Sequence, residues 1–509
     1  MSAQPAHLRL HELDNVIVAL SEIEAGTFIE DEGVTLKETI PSGHKFAAKT
    51  IAKGDVVRKF GQYIGEATKD ISVGEHVHVQ NTACETVTLN HTFGADKAET
   101  DYFAECDVAT FDGYVRADGQ VGTRNYIGIM STVNCSSTVV RQIAKAFQVP
   151  GAMDVYEHVD GVVGLTNGSG CAMNTNGAPA AVLRRTIAAY TRHPNFAGVV
   201  VVGLGCEDVN VPRLMEAEGL SESDALKTFV MQDMGGTAKT VAAGIEAVKV
   251  MLVRANEARR EPVSAKHLSL ALQCGGSDGY SGITANPALG VTADMIVRSG
   301  GTVCLSETSE VFGAEHLLTS RAVNDDIANK LLGQIAWWEE HVKVNGGEMN
   351  NNPSPGNKAG GLTTILEKSL GAIAKGGTTN LVDVIGFADP MTTKGFVFMD
   401  GPGYDPMSLT GQIAGGCNVA CFTTGRGSCF GSTPAPCLKL ASNSIMYAKM
   451  EDDMDVNTGE IADGQASVHE MGERIFREIL DMASGKASKS EALGYGEAEF
   501  LHWHIGFYI

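Results

Sequence analysis

Short apolar runs that break off into glycine are the feature that most narrows what this chain can become. Tyr126–Val133 runs into Asn134-Cys135-Ser136, Val159–Leu165 into Thr166-Asn167-Gly168-Ser169-Gly170-Cys171, and Val199–Leu204 into Gly205-Cys206-Glu207. Leu268–Leu272 leads to Cys274-Gly275-Gly276-Ser277-Asp278, Val303–Leu305 to Ser306-Glu307 with Glu310 one short turn on, and Val419–Thr423 to the glycine-flanked Arg426. Leu381–Ile385 and Phe396–Met399 extend the series. Strands that are apolar throughout, without alternation, suit a parallel sheet covered on both faces by crossover helices. Helical spacing between them supports this: Val139, Ile143 and Phe147 share one face, as do Ile245, Val248, Leu252 and Ala255. Ser136 or Ser137 is placed to cap the first of these helices.

In such folds ligands bind outside the carboxyl ends of the strands. Here those ends carry Cys135, Cys171, Cys206 and Cys274, together with Glu207, Asp278, Glu307 and Arg426. Parallel strands would gather these tips on one edge. The polar segment from Asn352 to Gly361 is turn chemistry throughout, with Lys358 near its end. Backbone N–H groups beside Arg426 or Lys358 would make an anion site suited to a carboxylate.

The first part of the chain reads differently. Val16–Leu20, Val34–Leu36, Phe46–Ala48 and Val56–Val57 are separated by Gly, Pro and Asp turns, the punctuation of a small β-rich domain over residues 1–82. His76 and His78 lie one strand period apart, on one face, where two imidazoles can bind a metal. Residues 83–110 show neither period and read as a linker. The chain of 509 residues exceeds one core, so two α/β subdomains are expected, 111–265 and 266–509. A net charge of −22 argues against nucleic acid or an anionic membrane as partner. Eleven cysteines without a regular framework, no apolar leader and no bilayer-length run predict a cytoplasmic protein with reduced thiols.

On these residues the chain resembles the altronate/galactarate dehydratase family, over nearly its whole length. LDNVIVAL, SGHKFA and GEHVHVQNT look like the family's N-terminal SAF domain; GQVGTRN, VVGLGCE, QCGGSDGYSGITANP, SETSEVFGAEHLL, NPSPGNKAGGL and TTGRG follow in order. Two positions depart from the pattern. Asn167 stands where a His is expected, and Ser428-Cys429-Phe430-Gly431 replaces a more common continuation.

The resemblance implies a hydro-lyase that removes water from a sugar acid to give a 2-keto-3-deoxy acid, in a homo-oligomer acting on a small hydroxy acid. It also implies Fe²⁺, or Mn²⁺ in its place, to stabilise the charge that grows on the substrate carboxylate. His44, Lys45, Glu207, Asp278 and Glu310 are the candidate catalytic residues, with His44 and Lys45 reaching in from the SAF domain as a lid or as acid/base groups. Arg124, Asn125, Asn134, Ser277, Asn357, Lys358 and Arg426 are the candidates for holding substrate. Asp278, Glu207, His76, His78 and Cys135 are the candidate metal ligands. An iron–sulfur cluster on Cys135, Cys171, Cys206 and Cys274 is the rival to a mononuclear ion. It lacks ferredoxin spacing, since Cys417 and Cys421 are separated by three residues. Two other functions compete: elimination of sulfite from 3-sulfolactate, and binding of a sugar acid without catalysis.

Overall fold

The computed structural model describes residues 6–84 and 90–505. Two parallel sheets carry most of it, preceded by a small antiparallel unit, so the α/β expectation holds.

In the N-terminal unit, His7–Leu8, Val16–Ala19, Lys45–Ala47 and His76–Val77 form one antiparallel sheet, and Val56–Lys59, Gln62–Ala67 and Thr82–Ala83 form another. The pairing Lys45↔Val77 and Phe46↔His76 sets His44 beside the two histidines of the neighbouring strand. This is the unit whose motifs resemble a SAF domain. The described part of the 83–110 stretch is laid along the C-terminal unit. The Gly94 and Phe103 amides donate to the carbonyls of Thr319 and Arg298, and the Arg298 guanidinium covers the Phe103 ring.

The middle sheet has the order Gly161–Leu165, Tyr126–Ser131, Phe196–Gly203, Leu226–Val230, all parallel. Its strand Phe196–Gly203 shows why a run need not alternate. Val199 and Val201 enter one hydrophobic layer with the helix Ala178–Thr191, while Val200 and Val202 enter another with Ser137–Lys145 and Thr237–Ala255. Both faces are covered, so both sets must be apolar. A short antiparallel sheet of Val121–Gly122, Thr110–Val115 and Glu261–Ser264 brackets this unit.

The C-terminal sheet has seven parallel strands: Leu381–Ile385, Gly395–Met399, Thr302–Leu305, Ser269–Cys274, Val419–Thr424, Cys437–Ala441 and Val456–Asn457, in that order. The chain enters at the central strand, moves to one side, then returns to fill the other. The point where the order reverses lies beside Ser269–Cys274, and clefts open at such points. No helix among the described residues is long and apolar enough to cross a membrane.

His193 fastens the middle unit to the C-terminal one. Its Nε2 lies 3.0 Å from the Cys417 carbonyl, and its Nδ1 accepts from the Asn195 amide at 3.2 Å, so a neutral ring is fully satisfied. Burial pushes it down to about 4. Between pH 4 and 6.5 the unfolded chain therefore binds a proton that the folded chain refuses, and stability rises with pH across that window. The contribution, about 3 kcal/mol, is complete above pH 6.5 and lost as pH falls towards 4. Thermal midpoints of His193→Gln should fall less steeply than wild type between pH 6.5 and 4.5; parallel curves would refute the assignment.

Candidate active site

Four loops meet where the SAF domain touches the edge of the seven-stranded sheet. The first is Gly276 to Gly282, which leaves the central strand. The Gly279 amide donates to the Gly360 carbonyl at 2.8 Å, and Asn357 Nδ2 donates to the Ser277 carbonyl at 2.8 Å. Asn357 is held in turn by a capping box with Ser354 at the start of the helix Pro355–Ala359. The Arg426 amide donates to the Gly276 carbonyl at 2.9 Å, which brings the TTGRG loop alongside; the Arg426 side chain is exposed. From the SAF domain, His44 Nε2 lies 3.3 Å from the Ala359 carbonyl and Lys45 Nζ donates to the Gly361 carbonyl at 3.0 Å. The structure thus brings His44, Lys45, Ser277, Asp278, Asn357, Lys358 and Arg426 into one neighbourhood.

Asp278 is the clasp of that neighbourhood. One carboxylate oxygen accepts from the Tyr280 and Ser281 amides and from the Ser281 and Ser442 hydroxyls; the other accepts from Asn443 Nδ2 at 2.9 Å. Burial raises its proton affinity, and the Ser442 and Ser281 hydroxyls oppose the shift. With these donors engaged, Asp278 ties its own loop to Ser442 and Asn443. Gly425 presses against it: a Cβ there would sit 2.1 Å from the Asp278 Cγ. Gly425→Ala should therefore cost about 1–3 kcal/mol by overpacking, seen as a lowered thermal midpoint; an unchanged midpoint would contradict this packing.

Below the loops runs a buried ionic layer. Glu367, on the helix Ile365–Ile373, accepts from Lys45 and Lys59 at 2.9 Å each, and all three are essentially inaccessible. Burial alone would raise Glu367, but Lys45 and Lys59 outweigh it and hold the carboxyl far below its usual range. Burial pulls Lys45 down to about 8, although Glu367 pulls the other way. Lys59, Asp278, Glu367 and Lys368 line a small cavity of about 10 Å³, room for one water.

Lys368, the next residue, leads into a second buried cluster of charged groups. Its ammonium donates to Glu310 at 2.6 Å and to Asn352 at 2.8 Å, and Asn352 itself donates to Glu310 at 2.7 Å. Glu310 Oε2 lies 3.7 Å from Cys274 Sγ, and Lys375 donates to that sulfur at 2.7 Å. Burial pushes the Cys274 thiol up to about 12 despite Lys375. Glu307 faces Lys375 at 4.0 Å, yet neither of its oxygens receives a hydrogen bond. Its backbone is left-handed, φ 75°, a position an L side chain occupies only under strain. Burial, and then the charge of Glu310, drive Glu307 well above the ordinary carboxylate range. For Glu310 burial works upward too, but Lys368 and Lys375 overcome it and keep the group ionised. Asp405 is pushed to about 7 by burial and by Glu310. Two carboxyl groups with opposed proton affinities, flanked by two ammonium ions, are the equipment of acid–base work on a substrate carrying a carboxylate.

His44, His76 and His78 form a second constellation. Their ring centroids are 4.8–5.4 Å apart, and one nitrogen from each lies within 4.8 Å of the others. His44 Nδ1 and His76 Nε2 share a hydrogen bond at 3.0 Å, while His78 Nδ1 is buried without a partner. Burial lowers all three; with help from neighbouring charges His76 falls to about 4 and His78 to about 3. Neutral imidazoles and an orphaned ring nitrogen suit a divalent metal. The carboxylates of the chamber suit one less, because Lys368 and Lys375 already balance them.

Other expected residues have different work. Arg124 is sealed in a bidentate pair with Glu491, 2.7 and 2.8 Å, and donates its remaining hydrogens to the Thr123, Met482 and Lys486 carbonyls. Asn125 accepts from Arg116 and donates to the His158 and Ala255 carbonyls. Neither has a group left for substrate. Glu207 accepts from Thr132 Oγ1 and from the Leu204 and Gly205 amides, so it closes its own loop on the middle sheet. Asn134 and Cys135 are exposed on that same sheet's edge, not among the loops around Asp278. The sequence reading missed Lys59, Glu367, Lys368, Lys375 and Asp405. Only the unusual charge in the apolar helix Ile365–Ile373 signalled any of them.

Three family descriptions match the chain in succession: the altronate/galactarate dehydratase SAF domain over residues 5–85, the second domain of D-galactarate dehydratase/altronate hydrolase over 113–256, and the C-terminal region of D-galactarate/altronate dehydratase over 265–508. Galactarate dehydratase (L-threo-forming) of Escherichia coli K12 is 37% identical over 489 residues, 94% of this chain and 93% of its own. Altronate dehydratase of Bacillus subtilis 168 is 34% identical over 497 residues, 96% of this chain and 97% of its own. The β subunit of (2R)-sulfolactate sulfo-lyase of Chromohalobacter salexigens is 29% identical over 393 residues, 76% of this chain and 96% of its own. With its three domains in the same order and its full length covered by such relatives, the chain belongs to the galactarate/altronate dehydratase family.

Proposed function

We propose that this chain, a hydro-lyase by family, dehydrates a galactarate- or altronate-type sugar acid to a 2-keto-3-deoxy acid, in the cytoplasm and with a divalent metal. The observation that carries the reading is Glu307: a buried carboxyl with two undonated oxygens, facing Lys375 and paired against the ionised Glu310. Glu310 is the base that takes the proton from the carbon beside the substrate carboxylate. Glu307, whose proton affinity burial and the Glu310 charge raise, gives a proton to the departing hydroxyl. Lys368 and Lys375 hold the negative charge that spreads onto the carboxylate in a site closed to water. His44, His76 and His78 would hold Fe²⁺ or Mn²⁺, which when bound supplies Lewis acidity towards a carboxylate or hydroxyl oxygen.

The test is turnover by protein purified anaerobically and supplied with Fe²⁺, using galactarate, altronate and sulfolactate, with 2-keto acid assayed against sulfite. Keto acid from a sugar acid supports the reading. Sulfite from sulfolactate would replace it with the sulfo-lyase reading, and binding without product would leave a sugar-acid-binding protein.

A further inference from the structure

Three of the strand-end cysteines have no place in the site above. Cys274 belongs to the buried chamber of the C-terminal sheet, which breaks up the four-cysteine set expected from the sequence. Cys135, Cys171 and Cys206 all follow strands of the middle sheet and are all exposed. They follow the three adjacent parallel strands Tyr126–Ser131, Gly161–Leu165 and Phe196–Gly203 at their carboxyl ends. The order of the middle sheet reverses between the first and third of these, so the three loops lie at the end of the sheet where ligands of such folds bind.

Their loops are stitched to one another. The Asn134 amide donates to the Ser169 carbonyl at 3.0 Å, tying the Cys135 loop to the Cys171 loop. The Val209 amide donates to the Gly170 carbonyl at 3.2 Å, tying the Cys206 loop to the Cys171 loop. Thr132 Oγ1 donates to Glu207 at 2.7 Å, which joins the Cys206 and Cys135 loops. Asn167, the departure from the family pattern, donates to the Thr132 carbonyl and accepts from Ser169, so it braces the same corner. Gly170 has φ 101° and a Cβ there would meet the Thr132 carbonyl oxygen at 2.2 Å; Ala172, just past Cys171, is held at φ 58°. This much constraint around three solvent-facing thiols is costly unless their positions matter.

We propose that Cys135, Cys171 and Cys206 bind a [4Fe–4S] cluster, leaving one iron without a protein thiolate and facing the crevice. The spacing separates this from a single ion. One zinc held at about 2.3 Å by three thiolates needs its sulfurs within roughly 4 Å. Among the described residues these three are not a group whose ligand atoms all lie within 4.8 Å. A cluster carries each thiolate on a different iron and takes wider-set ligands. The site is independent of the dehydration proposed above and of the histidine triad.

The full chain, reconstituted anaerobically with sulfide and equal parts of ferrous and ferric iron, which together supply the cluster's mixed-valence charge with no other oxidant, should take up about four irons and four acid-labile sulfides with visible charge-transfer absorption. Cys135→Ser, Cys171→Ser and Cys206→Ser should each lose the sulfide, while Cys429→Ser and His78→Ala keep it. Alkylation read by mass spectrometry covers the case of a variant that misfolds: in the reconstituted wild type the three thiols should resist iodoacetamide while the exposed Cys106 and Cys429 are labelled. Iron without sulfide, zinc alone, sulfide retained in the three serine variants, or equal labelling of all exposed thiols would each overturn the proposal.

Discussion

Glu367→Gln should destabilise this protein more than any other single change at the junction of its domains, by about 3–5 kcal/mol. The substitution is nearly isosteric, so packing is not at issue. It leaves Lys45 and Lys59, both buried, without the carboxylate they share. An uncompensated buried charge is far costlier than the pair is worth, because the pair's attraction was largely spent on removing its members from water. The same argument predicts a rescue: adding Lys45→Met and Lys59→Met to Glu367→Gln replaces orphaned charge with apolar volume and should recover most of the loss. Since Lys45 and Lys59 lie in SAF-domain strands and Glu367 in the C-terminal unit, the first sign should be undocking of the SAF domain. Limited proteolysis and urea unfolding would report it. A single variant within 1 kcal/mol of wild type would show that this layer is not what seats the domain.

Glu310→Gln is the second large effect, and it concerns rate. Removing a positioned base typically costs 10²–10⁴-fold in turnover. The glutamine keeps the shape and can still accept from Lys368, but it removes that lysine's counter-ion, so the thermal midpoint is measured beside turnover and only the loss of kcat in folded protein counts. Against the substrate found in the turnover assay, kcat should fall by that factor with a smaller change in KM. Glu307→Gln should lower kcat comparably but alter the opposite side of the pH profile. The loss of Glu310, whose proton affinity its two lysines lower, should remove the acidic limb; the loss of Glu307, whose proton affinity burial raises, should remove the alkaline limb. Because the two carboxyls interact, the wild-type limbs belong to the pair and not to either residue alone. Full activity in Glu310→Gln would remove the chamber from the reaction.

Much of the architecture was legible because continuous apolar runs have few other uses. Val199–Val202 can only be a strand buried on both faces, and it is. Among the strands that escaped notice are Leu226–Val230 and Cys437–Ala441, each carrying a lysine. Lys439 is fully buried with its ammonium at the Ser428 carbonyl, 3.3 Å away, so a residue that reads as surface is satisfied only through a tertiary partner. The loops around Asp278 were visible as glycine-bounded tips. Their acidic residues were not separable by role. Asp278 and Glu207 look alike in the chain, but one ties its loop to Ser442 and Asn443 on the C-terminal sheet and the other ties its loop to Thr132 on the middle sheet.

The order of apolar runs, the glycines after them and the paired His76 and His78 determined the sheets, their parallel sense and the edges where chemistry can occur, because these follow from local periodicity and the need to cover both strand faces. Which edge receives which residue was decided only by the tertiary structure. The chain reverses direction once across the C-terminal sheet and lays the SAF domain over its rim, and proton affinities there depend on charges hundreds of positions away in sequence. Glu310 is an acid or a base only in the company of Lys368, Lys375 and Glu307, and no spacing along the chain encodes that company.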